Sequence, residues 1–273
     1  MFIRRMLQNK MALIGLIIIF LNFAVAIFAP FIATHDPLKI DIINRDAPPS
    51  NEFYFGTDDY GRDIFSRVVY GARISQYISF LTVLAATVVG VIIGAVAGYY
   101  KGWVDNIIMR CMDAVMSFPA ILLAIAIMAV RGGSLYNVVF ALAFVYVPRF
   151  ARLIRGSVLS LKEKEFVEAS MAIGNSDFVI IFRHIIPNCM APLIVQCTVF
   201  LAYAILAEAA LSFLGLGAPP PSPSWGNILS DARNFMLDAP WMTVFPGLAI
   251  TFAVVGFNLF GDALRDILDP RLK

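Results

Sequence analysis

Charge is scarce in this chain. Of its 273 residues only 15% are charged, while 60% are hydrophobic; a water-soluble domain carries about 25% charged and roughly 45–50% apolar residues. So much apolar surface cannot be hidden inside a body of this size. The solvent that the composition points to is membrane lipid, and nothing in it points to nucleic acid. Histidine is nearly missing too, and His35 and His184 lie far apart. Cys111, Cys189 and Cys197 are odd in number and lack metal-type spacing, which argues against a disulfide framework or a zinc site. None of the eighteen glycines is followed by lysine, so the GxxxxGK[ST] phosphate loop is absent. No nucleophile elbow, metal-ligand set or catalytic dyad has convincing spacing. The reading is of a chain with no catalytic residue and no bound cofactor or metal.

What the chain does have is long apolar runs. The first, Met11–Ile32, follows the basic start MFIRRMLQNK and is long enough to be retained as a span, which needs about 20 residues. Gln76–Tyr100, Ile107–Val130, Ser134–Pro148, Cys189–Gly217 and Ala239–Gly261 follow, the fourth being short. These runs are continuous, without strand-like alternation. Only helices or a closed barrel satisfy the backbone in lipid, so the expected fold is all-α with six transmembrane helices. Pro119 should kink the third span and Pro246 the sixth.

Orientation follows the Lys/Arg bias. With the N-terminus inside, Arg4, Arg5, Lys10, Lys101, Arg110, Arg149, Arg152, Arg155, Lys162, Lys164, Arg183, Arg265, Arg271 and Lys273 are cytoplasmic, and Lys39, Arg45, Arg62, Arg67, Arg73, Arg131 and Arg233 are external. Both termini are then cytoplasmic. The organisation reads as a cytoplasmic N-terminus (1–10), a first helix (11–32), an external segment (33–75), a five-helix core (76–261) and a cytoplasmic C-terminus (262–273). The core contains a cytoplasmic loop, 149–188.

Within that loop, Lys162–Pro187 reads as two short helices separated by a breaker. Phe166, Ala169, Ser170 and Ile173 fall on one face of the first; Gly174 ends it, as glycine does at a left-handed helix end. Ser176 suits an N-cap for the second helix, and Pro187 stops it. An apolar, small-residue face outside the membrane either docks a partner or packs on the chain's own helix ends.

The spacing Glu168-Ala169-Ser170, then Gly174, then Ile186-Pro187-Asn188 resembles the EAA loop of binding-protein-dependent ABC importer permeases, with Ser170 in place of the second Ala and Ile186 in place of Leu. Three more stretches resemble the C-type permease of dipeptide, oligopeptide and nickel importers: Phe55–Asp58 with Gly61-Arg62-Asp63, Ser66-Arg67, Gly71, Arg73 and Ser75; Leu211–Gly217; and Asn258, Gly261-Asp262, Leu264-Arg265-Asp266 with Asp269-Pro270. The resemblance covers nearly the whole chain. It implies the type I ABC importer permease fold, in a multi-pass protein of a prokaryotic cytoplasmic (inner) membrane. It implies that Glu168, Ala169, Ser170, Gly174 and Pro187 belong to a coupling loop seated in a nucleotide-binding subunit. The implied partners are a homologous second permease, two ATP-binding subunits carrying ATP and Mg, and an external substrate-binding protein. The expected activity is import of di- or oligopeptides by alternating access, with nickel, glutathione or an oligosaccharide as other cargoes of the same family. An ion-coupled secondary transporter using Glu208, or a non-transporting assembly factor, is a different class; the EAA-like loop speaks against both.

Three further features carry expectations. Thr57 or Asp58 should cap an external amphipathic helix with Asp58–Arg62 and Asp63–Arg67 pairs, lying in the membrane interface. That helix is either a plinth for the second span or a substrate contact. Gly90, Gly94 and Gly98 repeat every four residues, which lets helix backbones approach closely, within the chain or against a partner permease. Glu208, an acid inside the fifth span, either lines the pathway, pairs across a subunit interface, or is a hydrogen-bonded structural group.

Overall fold

The computed structural model describes residue 6 and residues 9–268. Arg4, Arg5, Arg271 and Lys273 of the charge argument, and the Asp269-Pro270 pair, lie outside the described residues. Nine helices of eight residues or more organise the rest: α1 Lys10–Ile27, α2 Ile64–Tyr100, α3 Gly102–Met116, α4 Ala120–Arg131, α5 Leu135–Leu161, α6 Glu165–Ala172, α7 Met190–Phe213, α8 Trp225–Ala232 and α9 Trp241–Leu268. The described residues hold no strand, and an isolated bridge joins Thr57 to Asp63. Five helical runs are long and apolar enough to cross a membrane: α1, α2, α5, the run Asp177–Phe213 that ends in α7, and α9. A sixth is made by α3 and α4 together, bent by 86° at their junction. The all-α, six-span expectation is thus met with a broken third span. Pro119 does more than kink it. Proline offers no N–H and disfavours helix in the residue before it, and the two halves turn nearly at right angles.

The spans differ from the sequence reading in three places. The fourth is not short: α5 runs straight through Pro148 to Leu161, so the segment from Arg149 onward begins as helix, not loop. The sixth carries Pro246 inside an unbroken helix. The first ends at Ile27, and a separate turn, Ala29–Ile32, follows.

The external segment is corrected more deeply. There is no separate interfacial helix; the amphipathic stretch is the start of α2, continuous for 37 residues. Its cap is Asp63, which accepts from the Ser66 N–H at 2.9 Å, not Thr57 or Asp58. Because Asp63 caps, it does not pair with Arg67. Arg67 instead meets Asp58 and reaches Asp231 at 3.0 Å, and Arg62 joins the same two acids at 2.7 and 3.1 Å. Ile64, Val68 and Ala72 are buried together with Trp225 of α8, whose indole N–H donates to the Val68 carbonyl at 2.9 Å. The apolar face therefore packs on protein. The link between the last two spans is also more than the Pro-rich turn Ala218–Ser224, since it contains α8.

Two packed regions result. One centres on α2, α5 and α7, through Ile78, Leu142, Phe150 and Ile154; the other joins α1, α8 and α9 to the start of α2. Lipid tails are as apolar as the side chains, so burial from water does not hold spans together; close packing does. The glycine stripe supplies it, and its partner is within the chain. A Cβ on Gly90 would stand 2.5 Å from Phe150 Cβ, one on Gly94 would strike the Ala151 carbonyl oxygen, and one on Gly98 would lie 2.9 Å from the Arg155 carbonyl oxygen. All three neighbours belong to α5. In the same way Gly15 of α1 approaches the Phe260 amide of α9, and Gly256 of α9 approaches Ile18 of α1.

Candidate functional site: the turn between the fourth and fifth spans

The segment after α5 folds as two helical pieces around a glycine. In α6, Val167 and Ser170 are buried, whereas Phe166, Glu168, Ala169 and, just past its end, Ile173 are exposed. Ser170 is therefore on the opposite side from the face assigned to it by spacing. It ties the turn instead, accepting from Asn175 Nδ2 at 2.9 Å.

The helix ends by two crossed backbone bonds: Asn175 N–H to the Ser170 carbonyl at 3.2 Å, and Gly174 N–H to the Met171 carbonyl at 3.0 Å. This closure requires a left-handed residue, and Gly174 has φ +81° with open space around it. Ser176 precedes the second piece in extended conformation but makes no side-chain cap bond. That piece starts as a turn of α-helix, Asp177–Val179, widens to π winding over Ile180–Ile185, then tightens to a 3-10 turn over Ile186–Cys189 that leads into α7. Pro187 does not stop the helix, as the sequence reading had it. It sits near the start of the tight turn, where a missing N–H costs least, and the rod continues.

One contact fastens the second piece to the end of α2, and two more tie the end of α2 to the end of α5 just before the unit. Tyr99 donates its hydroxyl to Asp177 at 2.7 Å, Lys162 Nζ donates to the Tyr99 carbonyl at 2.6 Å, and Lys101 pairs with Glu163 at 3.5 Å. Ile180 and Ile185 are buried among the span residues. What remains outside is a set of exposed apolar side chains: Phe166, Ala169 and Ile173 from the first piece, Phe178 and Phe182 from the second, these two rings 4.5 Å apart. Ile173 is 78% exposed. Exposed apolar patches of this kind mark docking surfaces. Sequence reasoning missed the two phenylalanines, although their four-residue spacing carried the signal. It missed the Tyr99–Asp177 bond because nothing local links those positions.

The other singled-out residues lie elsewhere. Glu208 is fully buried near the far end of α7 and accepts from the Ser212 hydroxyl at 2.7 Å. Ser75 of α2 and Ser224, the cap of α8, are its other polar neighbours. It thus sits where α2, α7 and α8 meet, inside one chain. This is the geometry of a group that fastens three helices. We expect Glu208→Gln to keep the Ser212 bond and assemble normally. Glu208→Ala leaves the buried Ser212 hydroxyl without its acceptor, a loss of about 1–3 kcal/mol. Melting of the purified complex in detergent reads the difference; equal melting of the two variants would remove the fastening role.

Comparison with known proteins agrees with this architecture. Residues 90–273 match the model of a binding-protein-dependent transport system inner membrane component, and residues 1–49 match that of the N-terminal TM domain of oligopeptide transport permease C. The dipeptide transport system permease protein DppC of Alkalihalophilus pseudofirmus is 50% identical over 99% of this chain and 89% of its own length. The glutathione transport system permease protein GsiD of Pectobacterium atrosepticum is 43% identical over 100% of this chain and 91% of its own length. Among solved structures, a chain of the MetNI methionine ABC transporter in an inward-facing conformation superposes with a TM-score of 0.60 at 17% identity, over 74% of this chain and 96% of that one.

Proposed function

The chain belongs to the family of binding-protein-dependent transport system inner membrane components, and from that premise we propose that its cargo is a di- or oligopeptide. As a family member it is a permease subunit of an ABC importer, not a catalyst. The ion-gradient reading of Glu208 falls away with that membership. The peptide reading is supported by relatives named for dipeptides and for glutathione, itself a peptide, at 50% and 43% identity.

The observation that carries the mechanism is the rigidly mounted apolar face Phe166–Ala169–Ile173–Phe178–Phe182. In our reading it seats in an ATPase subunit, with Glu168 at its rim and the Gly174 turn holding its shape. ATP and Mg belong to that partner. A second, homologous permease completes the pathway, a binding protein delivers the peptide from outside, and closure of the two ATPases drives alternating access. The test is reconstitution of the complex with its neighbouring-gene ATPases and binding protein in liposomes. ATP-dependent accumulation of a labelled dipeptide is expected; its absence, with another solute accumulated instead, would replace the cargo.

Orientation has a separate check. With both termini and the docking face cytoplasmic, Lys164→Cys in a background lacking Cys111, Cys189 and Cys197 should react in intact cells with a membrane-permeant thiol reagent alone. Labelling by an impermeant reagent would invert the topology.

A further inference from the structure

The outward side chains of the spans are of two kinds. On α1 they are Ile14, Ile17, Phe20 and Leu21, a surface suited to acyl chains. On α3, α5 and α7, and at the end of α3, polar side chains are exposed among the apolar ones: Asp113, Ser117, Arg149, Arg152 and Tyr203, and these form the strip considered below. Its depth can be read from the glycine stripe. Gly98, near the end of α2, touches the backbone at Arg155, while Gly94 and Gly90 touch it at Ala151 and Phe150. Arg149 therefore lies level with Gly90–Gly94, six to ten residues inside Tyr100. At ~1.5 Å per residue that is about 9–15 Å in from the helix end, within the charge-free run Gln76–Tyr100.

An arginine exposed at that level does not face lipid cheaply. Three features suit a polar surface rather than acyl chains. Asp113 and Arg152 pair at 2.6 Å yet stay 62% and 50% exposed. The third span breaks beside them, over Ser117–Pro119, with no side-chain cap on α4; freed backbone groups at membrane depth are tolerated only within protein or along a water-filled cavity. Tyr203, which lines a cavity together with Tyr146, is 55% exposed. Arg155 and Arg152 are each paired with an aspartate; Arg149 has no ion-pair partner among the described residues.

We propose that this strip is the chain's wall of the aqueous pathway, and that Arg149 receives the terminal carboxylate of the peptide as it passes. The guanidinium is always charged, and a carboxylate is drawn to that charge whatever the rest of the cargo carries. Every linear peptide brings a terminal carboxylate whatever its side chains, so one such contact serves cargoes of mixed sequence. The inference rests on the peptide reading above.

The test uses the full complex in liposomes, with Cys111, Cys189 and Cys197 replaced. Arg149→Cys should react readily with a water-soluble quaternary-ammonium methanethiosulfonate, while Phe20→Cys on the lipid face should not. Uptake by Arg149→Cys should fall about tenfold, the scale of one lost charge-assisted contact. The cationic reagent should restore much of it and a neutral reagent of similar size should not, and Arg149→Lys should retain most activity. Reactivity no greater than that of Phe20→Cys would overturn the aqueous wall, including the case in which an acid of the second permease covers Arg149. Reactivity without charge-dependent rescue would overturn the carboxylate contact. A wild-type complex that imports no peptide defeats the function proposed above, and shows it before any variant is made.

Discussion

Ala169→Trp should leave the permease folded and abolish uptake. Ala169 is exposed on α6, outside the spans, so an indole has room in the isolated chain and nothing in the membrane core is disturbed. In the assembled transporter the same indole stands in the middle of the surface that we propose is buried against the ATPase. Forcing a misfitting side chain into a packed contact costs about 1–3 kcal/mol, or roughly five- to a hundredfold in association. Gly174→Val reaches the same phenotype by another route. There is open space around Gly174, so the penalty is not a clash; it is the φ of +81°, which costs an ordinary L-residue about 1–2 kcal/mol and a β-branched one more. The crossed bonds to Ser170 and Met171 loosen, and the angle between the two pieces is lost. Both variants should insert normally, retain less ATPase on purification and show no peptide-stimulated hydrolysis. Copurification and coupled hydrolysis at wild-type levels in both would exclude this face as the coupling element.

The largest loss of fold should come from Gly94→Val. A Cβ at this position would strike the carbonyl oxygen of Ala151. Backbone cannot swing aside as a side chain can, so α2 and α5 must separate, and the neighbouring approaches at Gly90 and Gly98 open with them. Overpacking typically costs about 1–3 kcal/mol and occasionally more; this site should lie at or beyond the top of that range. Gly156 is the control. It lies on α5 with nothing within 4 Å, and Gly156→Ala should gain about 1 kcal/mol of helix propensity. Fluorescence-monitored size exclusion after heating separates the cases: Gly94→Val is expected to be largely absent from the monodisperse peak, Gly156→Ala slightly more heat-resistant than wild type. Coincident melting curves for Gly94→Val and wild type would mean that the α2–α5 contact is looser than described.

How far the sequence speaks depends on the range of the interaction. The spans were legible because lipid forces long uncharged helices, and Gly174 was legible because a left-handed helix end has a single best residue. The glycine stripe announced close packing but not its partner, since every fourth-residue spacing describes one helix and not what lies against it. Glu208 was visible as an anomaly, while its surroundings, Ser75 and Ser224, are far away in the chain. The capping error at the start of α2 has a similar origin. Asp58 and Asp63 are equally good caps by local rules, and the choice is made by Arg67, which turns toward Asp58 and toward Asp231, 164 residues later. Pro148 and Pro187 misled for a different reason: proline ends an isolated helix more reliably than one whose freed carbonyls meet other groups in a packed bundle. The π and 3-10 windings before α7 carry no composition signal of their own.

The pairing of α1 with α9 bears on how the molecule is made. Spans leave the ribosome in chain order, and a helix emerging early must wait in the bilayer for any neighbour encoded later. Here the first span holds Gly15 open for the Phe260 amide, and Phe23 stands edge-on to Phe257 at 6.4 Å. The site on α1 thus stays vacant through synthesis of nearly everything else. The α2–α5 half can close early, around its own glycines, but the other half cannot close until the final helix arrives. A ribosome stalled before Trp241 would leave behind a particle with one finished half and a first helix touching α2 but bare on its Gly15 side, which makes the arrival of α9 a natural checkpoint for membrane quality control.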